Sequence, residues 1–390
     1  MTLGQLAFVT ATAVAFGGCS RGPAVDAGGA DCTTLTADRT DACVRLNQLQ
    51  VIGTHNSYHI APPPGVLASI GPRGAALEYT HRPLAEQLDL GMRQFELDVF
   101  ADPDGGRYAT PAALHAAPGI PPVAAEMRAP GLKVLHIQDV DVRSTCVTFV
   151  ACLTAIRDWS RAHPRHVPIL VLVEAKDSVP RGAGGTPAAP PLRFGTRELL
   201  TIDAEIRTVF DDDQLITPDR VRDGRSTLVD AVRSSGWPLL RDARGKVLFA
   251  LDNTEDHRLR YLEGAPSLEG RMLFVSSPAG EPSAAFLKMN DALGEGEARI
   301  REMVRAGYLV RTRADEPTIE ARSGDTTRRD HALRSGAQYV STDYPEASPF
   351  GSGYLARLPD AAGSPARCNP VNAAAGCRHD WLEPSVGPDR

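Results

Sequence analysis

Eight short apolar runs alternating with helix-like stretches constrain this chain more than any other feature. The predicted strands are Gln50–Gly53, Gln94–Phe100, Lys133–Gln138, Val167–Glu174, Lys246–Asp252, Met272–Ser276, Leu309–Thr312 and Gln338–Thr342. Helical spacing between them covers Pro83–Leu90, Val147–His163, Thr196–Phe210, Glu295–Ala306 and Thr326–Ser335. Continuous apolar strands separated by helices belong to a parallel sheet with both faces covered. Eight of them argue for an α/β fold of the (β/α)8 TIM-barrel type, which forms one unit of about 250 residues. An open doubly wound sheet would carry a glycine-rich phosphate loop in its first βα turn. That turn reads Thr54-His55-Asn56-Ser57 instead. The reading is one catalytic domain over residues 32–345, followed by a C-terminal extension over 346–390.

The charge balance narrows the class of partner. Among 390 residues, 42 Lys and Arg stand against 48 Asp and Glu, a formal charge of −6. No global positive field favours a nucleic-acid backbone, so none is expected as partner. Leu6–Gly18 is a short apolar run ending in small residues before Cys19, the pattern of a secretory leader with a lipoprotein-type cleavage site over residues 1–19. Cleavage nearby that discards Cys19 stays open. Residues 20–31 read as a flexible tether. The chain is therefore expected to be exported, either extracellular or lipid-anchored at the cell surface. Setting Cys19 aside leaves six cysteines, and an even set in an exported chain suggests disulfides. Fifteen pairings exist for six cysteines. The nearest-neighbour set, Cys32–Cys43, Cys146–Cys152 and Cys368–Cys377, is preferred because each pair sits in its own segment.

Barrel enzymes carry their chemistry where strands end. Here those ends hold His55 and Asn56, then Glu96 and Asp98, then His136, then Glu174 and Lys176. The two-residue period of a strand sends Glu96 and Asp98 to one side. Three carboxylates and an amide oxygen form a hard donor set that suits Ca²⁺ or Mg²⁺ rather than Zn²⁺. Two histidines outside that set are free to move protons near neutral pH. Charge neutralisation with one acid and one base is what in-line attack on a phosphodiester needs. Asp102-Pro103-Asp104-Gly105 imitates an EF-hand start, but it lacks the distal Glu and reads as a plain turn.

The phrases Gly53-Thr54-His55-Asn56-Ser57-Tyr58, Phe95-Glu96-Leu97-Asp98-Val99, Leu135-His136 and Val173-Glu174-Ala175-Lys176 resemble the catalytic barrel of calcium-dependent phosphatidylinositol-specific phospholipase C, in particular its compact secreted actinobacterial form. The resemblance runs from about Leu46 to Pro345. It implies that His55 and His136 are the catalytic histidines and that Asn56, Glu96, Asp98 and Glu174 hold Ca²⁺. It further implies cleavage of membrane phosphatidylinositol to diacylglycerol and a cyclic or acyclic inositol phosphate. The base is then Glu174 or Glu96. Lys176 is expected to face substrate phosphate. Arg311 and Arg313 either bind inositol phosphates or pair with Asp315 and Glu316, while Thr342 and Asp343 brace the site. A peripheral, monomeric enzyme is expected, and Val66, Leu67 and Ile70 are predicted to project from the first βα loop toward a bilayer. Two rivals remain: a glycerophosphodiester phosphodiesterase, and a noncatalytic lipoprotein that binds an inositol phosphate.

Overall fold

The computed structural model describes residues 31–116, 118–179, 189–359, 361 and 363–383. The predicted leader, and the tether up to residue 30, lie outside the described residues. Among the described residues ten strands form: β1 Leu49–Thr54, β2 Gln94–Phe100, β3 Lys133–Val134, β4 Ile169–Ala175, β5 Val247–Leu251, β6 Leu273–Val275, β7 Phe286–Lys288, β8 Leu309–Arg313, β9 Tyr339–Thr342 and β10 Ala366–Cys368. Helices Leu84–Asp89, Phe149–Ala162, Thr196–Val209, Gly296–Arg305 and Thr327–Arg334 fall where the helical spacing placed them.

The strands build an α/β fold of two mixed five-stranded sheets, in the orders β10-β1-β9-β8-β7 and β3-β2-β4-β5-β6. All neighbours are parallel except β1/β10 and β2/β3. Ladder pairing is not continuous around the two sheets. One seam, β1 to β2, is crossed by Arg93 N donating to Ile52 O at 2.9 Å and Ser57 N donating to Glu96 O at 2.9 Å. Gly53 allows this approach, because a Cβ there would lie 2.3 Å from Gln94 Cβ. The other seam, β6 to β7, carries the isolated parallel bridge Ser276–Phe286.

Within residues 32–345 the structure departs from the predicted strands in two places. Lys133–Gln138 contributes only the two-residue β3, antiparallel to the end of β2. Beyond it the His136 and Ile137 N–H groups donate to Asp141 Oδ2 at 2.6 and 3.0 Å, which turns the chain out of the ladder. The eighth parallel strand is instead β7, whose three residues are too few for any period to register.

Helix Phe149–Ala162 shows how the outer layer attaches. It buries Phe149, Cys152, Leu153, Ile156 and Trp159, a 3.6-residue stripe, and Thr148 Oγ1 caps it by accepting from Ala151 N at 3.2 Å. That stripe belongs to the same apolar core as Ile169 to Val173 of β4, which are wholly buried. Of the predicted projection after β1, Val66 and Ile70 pack inward, while Leu67 is half-exposed. Val66, on helix Pro64–Ile70, is 2% exposed and joins Phe100, Met127 and Val142 in a second apolar cluster against which Ile70 also rests. Residues one turn apart share a helix face, so Val66 and Ile70 turn together toward this cover rather than toward a bilayer.

All three expected disulfides form, with Cα separations of 5.6 Å for Cys32–Cys43, 5.2 Å for Cys146–Cys152 and 6.0 Å for Cys368–Cys377. Among the described residues no helix is long and apolar enough to cross a membrane.

Candidate active site

The C-terminal ends of the parallel strands converge on one cluster of polar side chains. At the end of β1 the chain turns sharply, and Asn56 adopts φ of 43°, a left-handed conformation that Asn tolerates better than most residues. Ser57 pins this turn to β2, because its Oγ accepts from Glu96 N at 2.9 Å. Asn56 Nδ2 donates to Tyr79 Oη at 2.8 Å, which leaves the buried Oδ1 without a protein partner.

Glu96 and Asp98, one period apart on β2, meet Glu174 from β4, and the three carboxylates offer oxygens within 4.8 Å of one another. Glu96 is held by Arg311 Nη2 at 2.5 Å. Asp98 Oδ2 takes His136 Nδ1 at 3.0 Å and Lys176 Nζ at 3.2 Å, while its Oδ1 is buried and unpartnered. Lys176 also lies 3.2 Å from Glu174 Oε2, so it turns into the cluster rather than into solvent. Burial and the neighbouring acids push Glu96 up to about 8 despite Arg311, and burial with Asp98 pushes Glu174 up to about 7. Three close carboxylates resist simultaneous ionisation, and a divalent cation removes that conflict. Three convergent carboxylates, one of them with the buried and unpartnered Asp98 Oδ1, therefore fit an oxygen-preferring ion such as Ca²⁺.

Each histidine touches this cluster from one side. His55 Nδ1 lies 2.9 Å from Asp343 Oδ1, and its Nε2 lies 3.5 Å from Glu96 Oε1 and 3.4 Å from Arg313 Nη1. Burial, then the Arg313 guanidinium, holds His55 down to about 4. Asp343 is wholly buried beside Arg313 Nη2 at 3.4 Å, and its backbone N–H donates to Asp315 Oδ1 at 2.9 Å. The His81 Nε2–H donates to His55 O at 2.9 Å. His136 is half-buried. Burial opposes its charge, but the bond to Asp98 prevails and raises its pKa above the usual value.

The eight residues predicted for the site thus fall in two linked groups: His136, Asp98, Lys176 and Glu174 in one, Glu96, His55, Asn56 and Arg313 around the other. Arg313 pairs with Asp343, and Arg311 with Glu96 and Asn290 Oδ1 at 2.6 Å, rather than with Asp315 and Glu316. Sequence reasoning missed the buried pair Asp252 with Lys288, Nζ to Oδ2 at 2.6 Å. It also missed Tyr79 and His81, which support Asn56 and His55. The Asp102 turn is held by Lys133 Nζ at 3.1 Å.

An acidic, cation-fitting cluster at parallel strand ends, flanked by His55 after β1 and His136 in the turn beyond β3, is the equipment of a phosphoric diester hydrolase. Residues 44–370 match the family model described as phosphoinositide phospholipase C, Ca²⁺-dependent, and the chain belongs to that family. Its cofactor is accordingly Ca²⁺. Similar solved structures include a calcium-dependent phosphoinositol-specific phospholipase C from a Gram-negative Pseudomonas species, 15% identical with a TM-score of 0.50, covering 84% of this chain and 96% of that one. A myoinositol complex of the Pseudomonas enzyme is 14% identical with a TM-score of 0.50, covering 86% and 99%. A Ca²⁺-dependent phosphatidylinositol-specific phospholipase C from Streptomyces antibioticus is 20% identical with a TM-score of 0.48, covering 77% and 94%. At such identities the Pseudomonas likeness speaks to fold. No curated protein matches the sequence.

Proposed function

We propose that this chain is an exported phosphodiesterase that cleaves membrane phosphatidylinositol into diacylglycerol and an inositol phosphate. The observation that carries this reading is the meeting of Glu96, Asp98 and Glu174 between His55 and His136. Asn56, Glu96, Asp98 and Glu174 would hold Ca²⁺, which when bound offsets charge at the phosphate and acidifies a nearby hydroxyl.

The chain's own groups supply the rest. Asp343 fixes the proton of His55 on Nδ1, so Nε2 presents a lone pair and takes the proton of the inositol 2-hydroxyl as its oxygen attacks phosphorus. Glu174, the most exposed of the three carboxylates, is the second acceptor within the site. His136, its charge supported by Asp98, gives a proton to the glycerol oxygen as the P–O bond breaks. A cyclic inositol phosphate results, and water opens it with the two histidines exchanging roles. Arg313 and Lys176 bind the phosphate oxygens. For this site we read the two sheets as halves of a TIM-type barrel that brings all strand ends to one mouth, in a monomer that meets the bilayer peripherally. Three disulfides support passage through an oxidising compartment.

The test compares phosphatidylinositol with glycerophosphocholine, each in chelator and in Ca²⁺, with phosphorus spectra of the products. Ca²⁺-dependent release of inositol phosphate from the lipid supports the reading. Preferential hydrolysis of glycerophosphocholine transfers the chain to the glycerophosphodiesterase class, and binding without turnover makes it a carrier.

A further inference from the structure

Between β2 and β4 the chain makes a long excursion rich in proline, including Pro103, Pro111, Pro121, Pro122 and Pro130. Proline removes ladder donors, and up to the helix Phe149–Ala162 the described residues of this excursion form only short 3-10 turns, Ala112–His115 and Ala125–Arg128, besides β3. Leu132 and Val134 reach the main core, but Tyr108, Val123, Met127, Leu135 and Val142 gather with Val66 and Phe100 in the second cluster. A cavity of about 310 Å³ opens beside that cluster, walled by Ile60, Pro121, Leu135, Val142 and Val147, with Ala124 on its rim.

Three connections set this cavity beside His136. Leu135 directly precedes His136, and Asp141, also in the wall, accepts the His136 backbone N–H at 2.6 Å. Ile60, also in the wall, follows His59, whose ring centre is 6.2 Å from that of His136. The two segments are joined by the antiparallel bridge His59–Ser144 and by Arg143 Nη2 donating to Ala61 O at 3.0 Å. The far side of the site is charged, with Glu174, Lys176, Asp252 and Lys288.

We infer that this groove receives one acyl chain of the lipid leaving group, an inference that rests on the phospholipase reading above. The group that His136 protonates is the glycerol oxygen, so the remainder of the leaving half extends from His136. The surface it meets there is apolar. The volume lies at the lower end of small-molecule sites, about 300–1,000 Å³, and so suits the first part of a single chain rather than both chains. The groove thereby distinguishes a diacylated diester from its deacylated counterpart, while the reacting diester is the same.

The test uses the full chain with Ca²⁺ and compares kcat/KM for dihexanoylphosphatidylinositol and glycerophosphoinositol. Ala124→Trp fills the groove from an exposed rim position that the fold accommodates. Ile60→Asn makes its wall polar by another route. Both variants are expected to lose about tenfold on the acylated substrate, the effect of about two methylenes left in water, with the deacylated one unaffected. Equal losses on both substrates, or none on either, overturn the groove. Calorimetric titration with dihexanoylglycerol reads the groove without turnover: wild type binds and Ala124→Trp does not, and absence of binding in wild type overturns it. Wild type that binds dihexanoylglycerol yet cleaves no phosphatidylinositol keeps the groove and rejects the phospholipase reading.

Discussion

Asp343 concentrates the argument at the scale of single residues. Its buried carboxylate orients His55, and burial's upward push on it is overcome by His55 and Arg313, which hold it ionised well below the usual range. Asp343→Asn keeps the shape but offers an N–H where His55 needs an acceptor. Turnover is expected to fall by about 10²–10⁴ with circular dichroism unchanged. A loss of less than about tenfold would assign the proton to Glu174 instead. The site residues on strand ends were legible because a strand's period fixes which side chains share a face. Arg311 on Glu96, and Lys288 on Asp252, were not. These contacts join strands distant in the chain, and no local spacing encodes them. Tyr79 and His81 escaped for a similar reason: loop residues become supports only once the loop folds back over β1.

Elements were read well where burial imposes a long period and poorly where a side chain sets the backbone. The five predicted helices came out within two residues of their bounds, because a stripe such as Phe149 to Trp159 has one way to face the core, whereas short ones such as Leu228–Ser234 and Glu255–Tyr261 were not foreseen. β3 stopped short because Asp141 captures two backbone donors, an effect of a single side chain. The same helix layer carries a pH-sensitive contact. His166 is buried, with Nε2 2.7 Å from Ser160 Oγ and Nδ1 2.7 Å from Val167 O. Burial holds it down to about 4, against the weaker pull of Val167 O. A histidine depressed in the folded state binds its proton first in the unfolded chain, so its stabilising effect is full above pH 6.5 and is lost as pH falls toward 4. The loss amounts to roughly 3 kcal/mol. Urea titrations at pH 7 and 4.5 are expected to show a smaller acid loss for His166→Gln than for wild type. Equal losses would mean that His166 does not carry this linkage.

At the scale of the whole molecule, the segment after Pro345 is stitched into the fold. β10 pairs antiparallel with β1 through Leu49–Cys368, Gln50–Arg367 and Val51–Ala366. Glu383 pairs with the wholly buried Arg93, which also sits 4.8 Å over the Trp159 ring. Glu383→Ala strands a buried guanidinium and is expected to cost about 3–5 kcal/mol in a denaturant titration. A cost under about 1 kcal/mol, the surface-pair range, would show that water replaces the carboxylate. The α/β class was visible from the alternation of strand and helix, but the sequence offered no sign of the two seams or of a tenth strand returning to β1. The central claim, that Glu96, Asp98 and Glu174 hold the Ca²⁺ on which this family depends, is tested most directly by calorimetric Ca²⁺ titration of wild type and Asp98→Asn. Wild type should show one site, and removal of one charged ligand in the variant should weaken it by at least about tenfold. Equal Ca²⁺ affinity in the two proteins would contradict the account.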